Sequence, residues 1–126
     1  MRLTICLSAA IALCASSTQL AAKAAPFQIN GTTWTFIEDG KKAQETIDAK
    51  GNYIENALTG KHIDHGTAVM KGKKVCFTSA MTKEGELCWT TPNSALKIGH
   101  SFVATSGKGE KLKVTRVAYR KLSMPK

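Results

Sequence analysis

From residue 27 to residue 119 the chain is a succession of short apolar–polar alternations separated by glycine-bearing turns. Residues 32–37 place Trp34 and Phe36 on one side and Thr33 and Thr35 on the other, the period-two pattern of a half-buried strand built from strand-favouring residues. Asp39-Gly40 follows as a two-residue hairpin signal. Residues 42–48 read two ways. Ala43 and Ile47 stand four apart, as on a helix face, and Lys, Ala, Gln and Glu are good helix formers. The segment is short and bounded by Asp39-Gly40 and Lys50-Gly51-Asn52, so it is taken as a strand like its neighbours. Residues 52–58, with Tyr53, Ile54 and Leu58, predict a third strand. His62-Ile63-Asp64-His65-Gly66 reads as a loop leading into residues 67–70. After Thr91-Pro92-Asn93-Ser94 breaks the pattern, a strand is expected over residues 98–105 and another over 111–119.

The most tightly specified stretch is residues 73–91. Two alternating runs flank a polar connection containing Gly85, and each carries one cysteine followed by an aromatic residue. If Cys76 faces Cys88, then Phe77 faces Leu87, Val75 faces Trp89 and Thr78 faces Glu86. Alternation then gathers Val75, Phe77, Leu87 and Trp89 on one apolar face and leaves the disulfide with Lys74, Thr78, Glu86 and Thr90 on the other. A one-residue slip would mix the faces and part the sulfurs. About eight short strands at a spacing of roughly ten residues predict an all-β domain. Turns between sequence neighbours favour an antiparallel meander, an up-and-down barrel or half-barrel with one disulfide.

The N-terminus changes the picture of the compartment. A positive start at Arg2, an apolar run over residues 3–15 and small residues around Ala22-Lys23-Ala24 have the form of a secretory signal peptide, residues 1–24. The apolar run is shorter than the ~20 residues a spanning helix needs. Residues 25–126 then form a single domain, with no further apolar segment long enough to span a bilayer. Cys6 and Cys14 leave with the signal, and the remaining pair, Cys76 and Cys88, is expected to be oxidised outside the cytoplasm. They are not in a Cys-x-x-Cys arrangement, so a structural staple is favoured over a redox role.

Loss of Arg2 and Lys23 lowers the formal charge from +9 to +7. Much of that excess lies near the C-terminus, where Lys111, Lys113, Arg116, Arg120 and Lys121 are candidates to meet an anionic envelope component or another exported protein. Nucleic acid is not expected in an exported compartment. His62, Asp64 and His65 would supply part of a metal shell, though solvated loop histidines are the plainer reading and no metal is expected. No Gly-x-Ser-x-Gly elbow or paired catalytic carboxylates stand out. Glu38, Asp39, Asp64, Glu84 and Glu86 fall in or beside predicted turns, so no catalytic residue and no cofactor are expected. Trp34, Phe36, Phe77 and Trp89 form the aromatic set of the β core and would line a ligand space if the barrel were hollow, although a packed interior is expected at this size.

Thr33-Trp34-Thr35-Phe36 with Asp39-Gly40, Lys50-Gly51-Asn52-Tyr53, Asp64-His65-Gly66-Thr67 and Val75-Cys76-Phe77 with Cys88-Trp89 resemble small uncharacterised secreted proteobacterial proteins. The order of these motifs is also similar to lipocalin-like barrels and to small barrel inhibitors of secreted metalloproteases. The resemblance implies a periplasmic or secreted compartment and a β-barrel fold; the first expectation for function is a non-enzymatic module that binds a ligand or partner at its rim or basic face. The inhibitors imply an alternative, an N-terminal arm at residues 25–29 that blocks a protease. An enzyme or metal-binding protein is the third expectation.

Overall fold

Asp39 and Gly40 both take positive φ, 48° and 72°, the conformation a two-residue hairpin turn demands and one that glycine adopts without strain. They join β1 (Thr32–Glu38) to β2 (Lys41–Ile47), which settles the ambiguous segment as a strand. The computed structural model describes residues 18–20 and 22–125, so the start and apolar run of the expected signal peptide lie outside the described residues. The other strands are β3 (Asn52–Ala57), β4 (His62–Lys71), β5 (Lys74–Ser79), β6 (Glu86–Thr90), β7 (Ser101–Thr105) and β8 (Lys111–Val117). All pairings are antiparallel, in the order β6-β5-β4-β3-β2-β1-β8-β7.

The meander is nearly closed. Its first and last strands, β1 and β8, pair with each other, so the seam falls between β6 and β7. A Trp89–Ser106 bridge crosses that seam. The Thr105 amide donates to Thr90 Oγ1 at 2.9 Å and the Gly107 amide donates to the Cys88 carbonyl at 3.0 Å. Closure leaves few unpaired edge groups for a stray strand to join.

The cysteine hairpin has the expected register: Cys76 opposite Cys88, Val75 opposite Trp89, Phe77 opposite Leu87 and Thr78 opposite Glu86. Cys76 and Cys88 form a disulfide. Val75, Phe77, Leu87 and Trp89 line the interior.

Two segments outside the strands finish the barrel. The N-terminal arm tucks under one end, the base, where Phe27 and Ile29 are buried with Trp34, Ile47, Tyr53, Ala68 and Val75. Phe27, Trp34 and Phe102 meet pairwise with ring centroids 5.7–6.0 Å apart. Phe27 and Ile29 are thus held in the base.

The C-terminal segment crosses the outside of β1–β3 as a strap. The Arg120 amide donates to Thr33 Oγ1 at 2.8 Å, and Thr46 Oγ1 donates to the Arg120 carbonyl at 2.6 Å. Asn56 Nδ2 donates to the Ser123 carbonyl, and Leu122 is buried. These contacts explain why outward-facing Thr33, Thr46 and Asn56 are themselves buried. The C-terminal segment is therefore in part structural and not simply a free basic tail.

Two boundaries differ most from expectation. Residues 62–66 belong to β4 instead of a loop. Strand β7 begins at Ser101 because the Gly99 and Arg116 amides donate to the Arg116 and His100 carbonyls, respectively, and hold residues 99–100 in a turn beside β8.

Candidate ligand cavity and its carboxylate wall

Eight strands give a barrel just wide enough either to fill with side chains or to hold one small ligand. Here the interior keeps a cavity of about 540 Å³, where sequence reasoning expected a packed core. The small side chain of Ala104, which lines the cavity, accounts for part of the room. Gly66 has a steric reason to be glycine: a Cβ there would lie 2.0 Å from the Thr78 carbonyl oxygen of the neighbouring strand.

The cavity has two characters. Its apolar wall is made by Trp34, Phe36, Phe77, Trp89 and Phe102, with Trp34 in the base and Phe36 one inward position nearer the other end of β1. Sequence reasoning singled out the first four of these, and the fold brings them together. Towards the other end, the mouth, the wall turns acidic. Cross-strand pairing sets Trp34 beside Glu45, Glu45 beside Glu55, and Glu55 beside Asp64. Directly paired residues share a face of the sheet, so three carboxyl side chains on β2, β3 and β4 stand shoulder to shoulder inside the barrel. Glu38, at the mouth end of β1, adds a fourth.

Each acid meets a different environment. Asp64 is well provided for: it accepts from Tyr53 Oη at 2.8 Å, from Ser79 Oγ at 2.6 Å and from the His65 amide at 2.8 Å. Burial, and after it the Asp64 carboxylate, raises the Tyr53 phenol above its ordinary range and keeps it a donor. Glu55 has one oxygen, Oε1, buried without any partner. Burial first, then the charges of Glu38 and Asp64, push Glu55 up to about 7. Glu45 is half-buried and faces the cavity, and no hydrogen bond from a described residue offsets its desolvation. That burial, with Glu55, Asp64 and Glu38 nearby, holds its carboxyl well above the usual range. Glu38 is raised too, by burial and then by Asp39 and Glu110. Desolvation and crowding act in the same direction, favouring protonated acids in the empty barrel.

The histidines and Asp64, expected in one loop, are placed on opposite faces. The register shifts between Glu55 and Asn56, so that Asn56 pairs with His62 while Glu55 pairs with Asp64. The extra residue, Ile63, turns Asp64 inwards and leaves His62 and His65 outside. There His62 Nδ1 meets Asn56 Oδ1 at 2.8 Å and His62 Nε2 meets His65 Nδ1 at 3.0 Å. Because Asn56 donates its amide to the Ser123 carbonyl, its oxygen accepts from His62, which then accepts from His65. Both His62 nitrogens are thereby used.

The basic candidates also separate. Lys111 and Lys113 point outwards from β8 and are exposed, as are Arg120 and Lys121 in the strap. Arg116 instead donates to the Leu96 carbonyl below the base. Among the described residues, no helix is long and apolar enough to cross a membrane. No known protein family matches the chain, and no curated protein or solved structure is detectably similar to it.

Proposed function

We propose that the protein is a non-enzymatic, exported β-barrel module that takes one small molecule through its mouth and holds it against the aromatic base. The observation that carries this reading is the cavity of about 540 Å³ inside the barrel. Close-packed interiors keep few voids larger than a water, whereas concave, largely apolar spaces of about 300–1,000 Å³ are the usual form of small-molecule sites. The base is closed by Phe27 and Ile29, so a ligand would reach the cavity from the acidic end. The Cys76–Cys88 bridge suits an oxidising compartment, in keeping with the export expected from the N-terminal sequence.

The test is titration of the mature protein with N-phenyl-1-naphthylamine, a neutral dye that brightens in apolar surroundings. Saturable enhancement at one dye per barrel is expected. It should be lost in Ala104→Trp, which fills the cavity from its inner wall, while the circular dichroism spectrum persists. Absence of saturable binding, or unchanged binding to the filled barrel, would overturn the reading.

A further inference from the structure

We propose, resting on the cavity reading above, that the ligand is a small organic cation: an amine or amidine on an apolar body, its cationic head against Glu45 and Glu55 and its body on the aromatic base.

Like charges placed directly opposite on neighbouring strands destabilise a sheet, and here the arrangement occurs twice in succession, Glu45 with Glu55 and Glu55 with Asp64. Glutamine at either glutamate would keep the shape and remove the repulsion. What sets this wall apart from an ordinary acidic cluster is its unmet bonding capacity. Asp64 has three donors and asks for nothing more. Glu55 Oε1 is buried without a hydrogen-bond partner among the described residues, and its cross-strand neighbour Glu45, half-buried against the same cavity, has none either. Buried polar groups are almost always paired, so the bare Glu55 oxygen, beside a second acid that faces the same cavity, marks the place of an absent donor.

A cationic donor would answer both the bare oxygen and the like charge beside it, and among the described residues no basic side chain forms an ion pair with either acid. Among the described residues, Lys108, in the turn between β7 and β8 at the mouth, is the one basic residue along the cavity. The ion pair among the described residues, Lys71 with Glu86, lies on the outer surface. A bare metal ion fits poorly. Oxygen ligands at about 2.3–2.6 Å from a calcium ion stand within roughly 5 Å of one another. Among the described residues, no three of the cavity carboxylates converge within 4.8 Å; the sole group that does is Cys76, Glu86 and Cys88, whose sulfurs are joined to each other. Carboxylates spread along a wall suit a head with several N–H donors. The row also ends at Trp34, directly paired with Glu45, so a cation seated there borders an aromatic face that attracts it. An acidic wall above an aromatic base selects an amphiphile with its charge towards the mouth.

Three ligands of equal chain length separate this proposal from the reading it rests on: decylamine, decanol and decanoate, each used to displace N-phenyl-1-naphthylamine from the mature protein at pH 7.5. The amine should displace the dye at concentrations at least tenfold lower than the alcohol, with decanoate weakest. In the Glu45→Gln/Glu55→Gln double variant, the amine and alcohol should come within about threefold of each other. Equal displacement by amine and alcohol in the unaltered protein would overturn the cation assignment and leave the cavity reading standing. Failure of the dye and all three ligands to bind would overturn both. Should calcium or zinc alone displace the dye at micromolar concentration, the site would be a metal centre and the proposal wrong. The ranking in the unaltered protein decides the matter even if the double variant does not fold.

Discussion

Replacing Glu55 by glutamine keeps the shape of the side chain and removes its titration, so its effect on stability isolates the carboxyl group. The folded-state value of about 7 lies above the ordinary 4.5. Between those two values the folded protein therefore binds more protons than the unfolded chain, and stability falls as pH rises through that window. The difference of 2.5 units, at 1.36 kcal/mol each, sets a ceiling of about 3 kcal/mol on the loss above pH 7. Water reaching the cavity screens part of it, which brings the expected loss to about 1–2 kcal/mol.

The groups facing Glu55 are Glu45 on β2, Asp64 on β4 and Glu38 on β1, with Lys108 at the mouth. The variant also relieves Glu45 of one negative neighbour, so part of its gain comes from a shared term. Urea unfolding of the disulfide-intact protein and of Glu55→Gln, at pH 5, 6, 7 and 8, provides the measurement. The two should be nearly equal at pH 5, and the variant more stable by about 1–2 kcal/mol at pH 8. Parallel pH curves, or a variant less stable than the parent at pH 8, would refute the burial and crowding argued for this wall.

Other perturbations probe the frame that holds the cavity. Reducing the Cys76–Cys88 bridge, whose sequence separation is 12, should lower the urea-derived stability by about 3 kcal/mol on chain-entropy grounds without changing the fold. Leu122→Ala, beneath the strap, is expected to cost about 2 kcal/mol and to speed amide exchange at Arg120, which measures whether the C-terminal segment is a docked element. Gly66→Ala should cost at least about 3 kcal/mol, because its methyl would collide with backbone that cannot swing aside. Wild-type thermal stability in that variant would show that β4 and β5 do not approach as closely as described.

The fold was legible in the sequence where turn chemistry and periodicity agreed. Asp39-Gly40 fixed the first hairpin, and the cysteines fixed the register of β5 with β6 through a test that two independent patterns both passed. Residues 62–66 were less legible, since a histidine-rich run with an extra residue has no clean alternation; only the bulge at Ile63, a property of the pair β3–β4, resolves it. The N-terminal arm and the C-terminal strap were illegible for another reason. Their partners are distant in sequence, as Thr33 is from Arg120, and no local pattern announces them.

The carboxylate wall illustrates how a site can be written in a sequence and still be missed. Once residues 41–47 are a strand, Ala43, Glu45 and Ile47 share a face, and burial of Ala43 and Ile47 commits Glu45 to the inside. In β3 the same holds for Tyr53, Glu55 and Ala57, but Ile54 and Leu58 invite the opposite phase, and with that phase Glu55 would face solvent. Leu58 falls beyond the end of the strand, where it is half exposed, so it carries no information about phase. The buried residue in the middle of the contest is Tyr53, whose hydroxyl needs the partner that Asp64 provides. An acid at the centre of an apolar phase, repeated on adjacent strands, is thus the readable signal. It separates a barrel whose interior is merely unfilled from one whose interior is arranged to meet a charge.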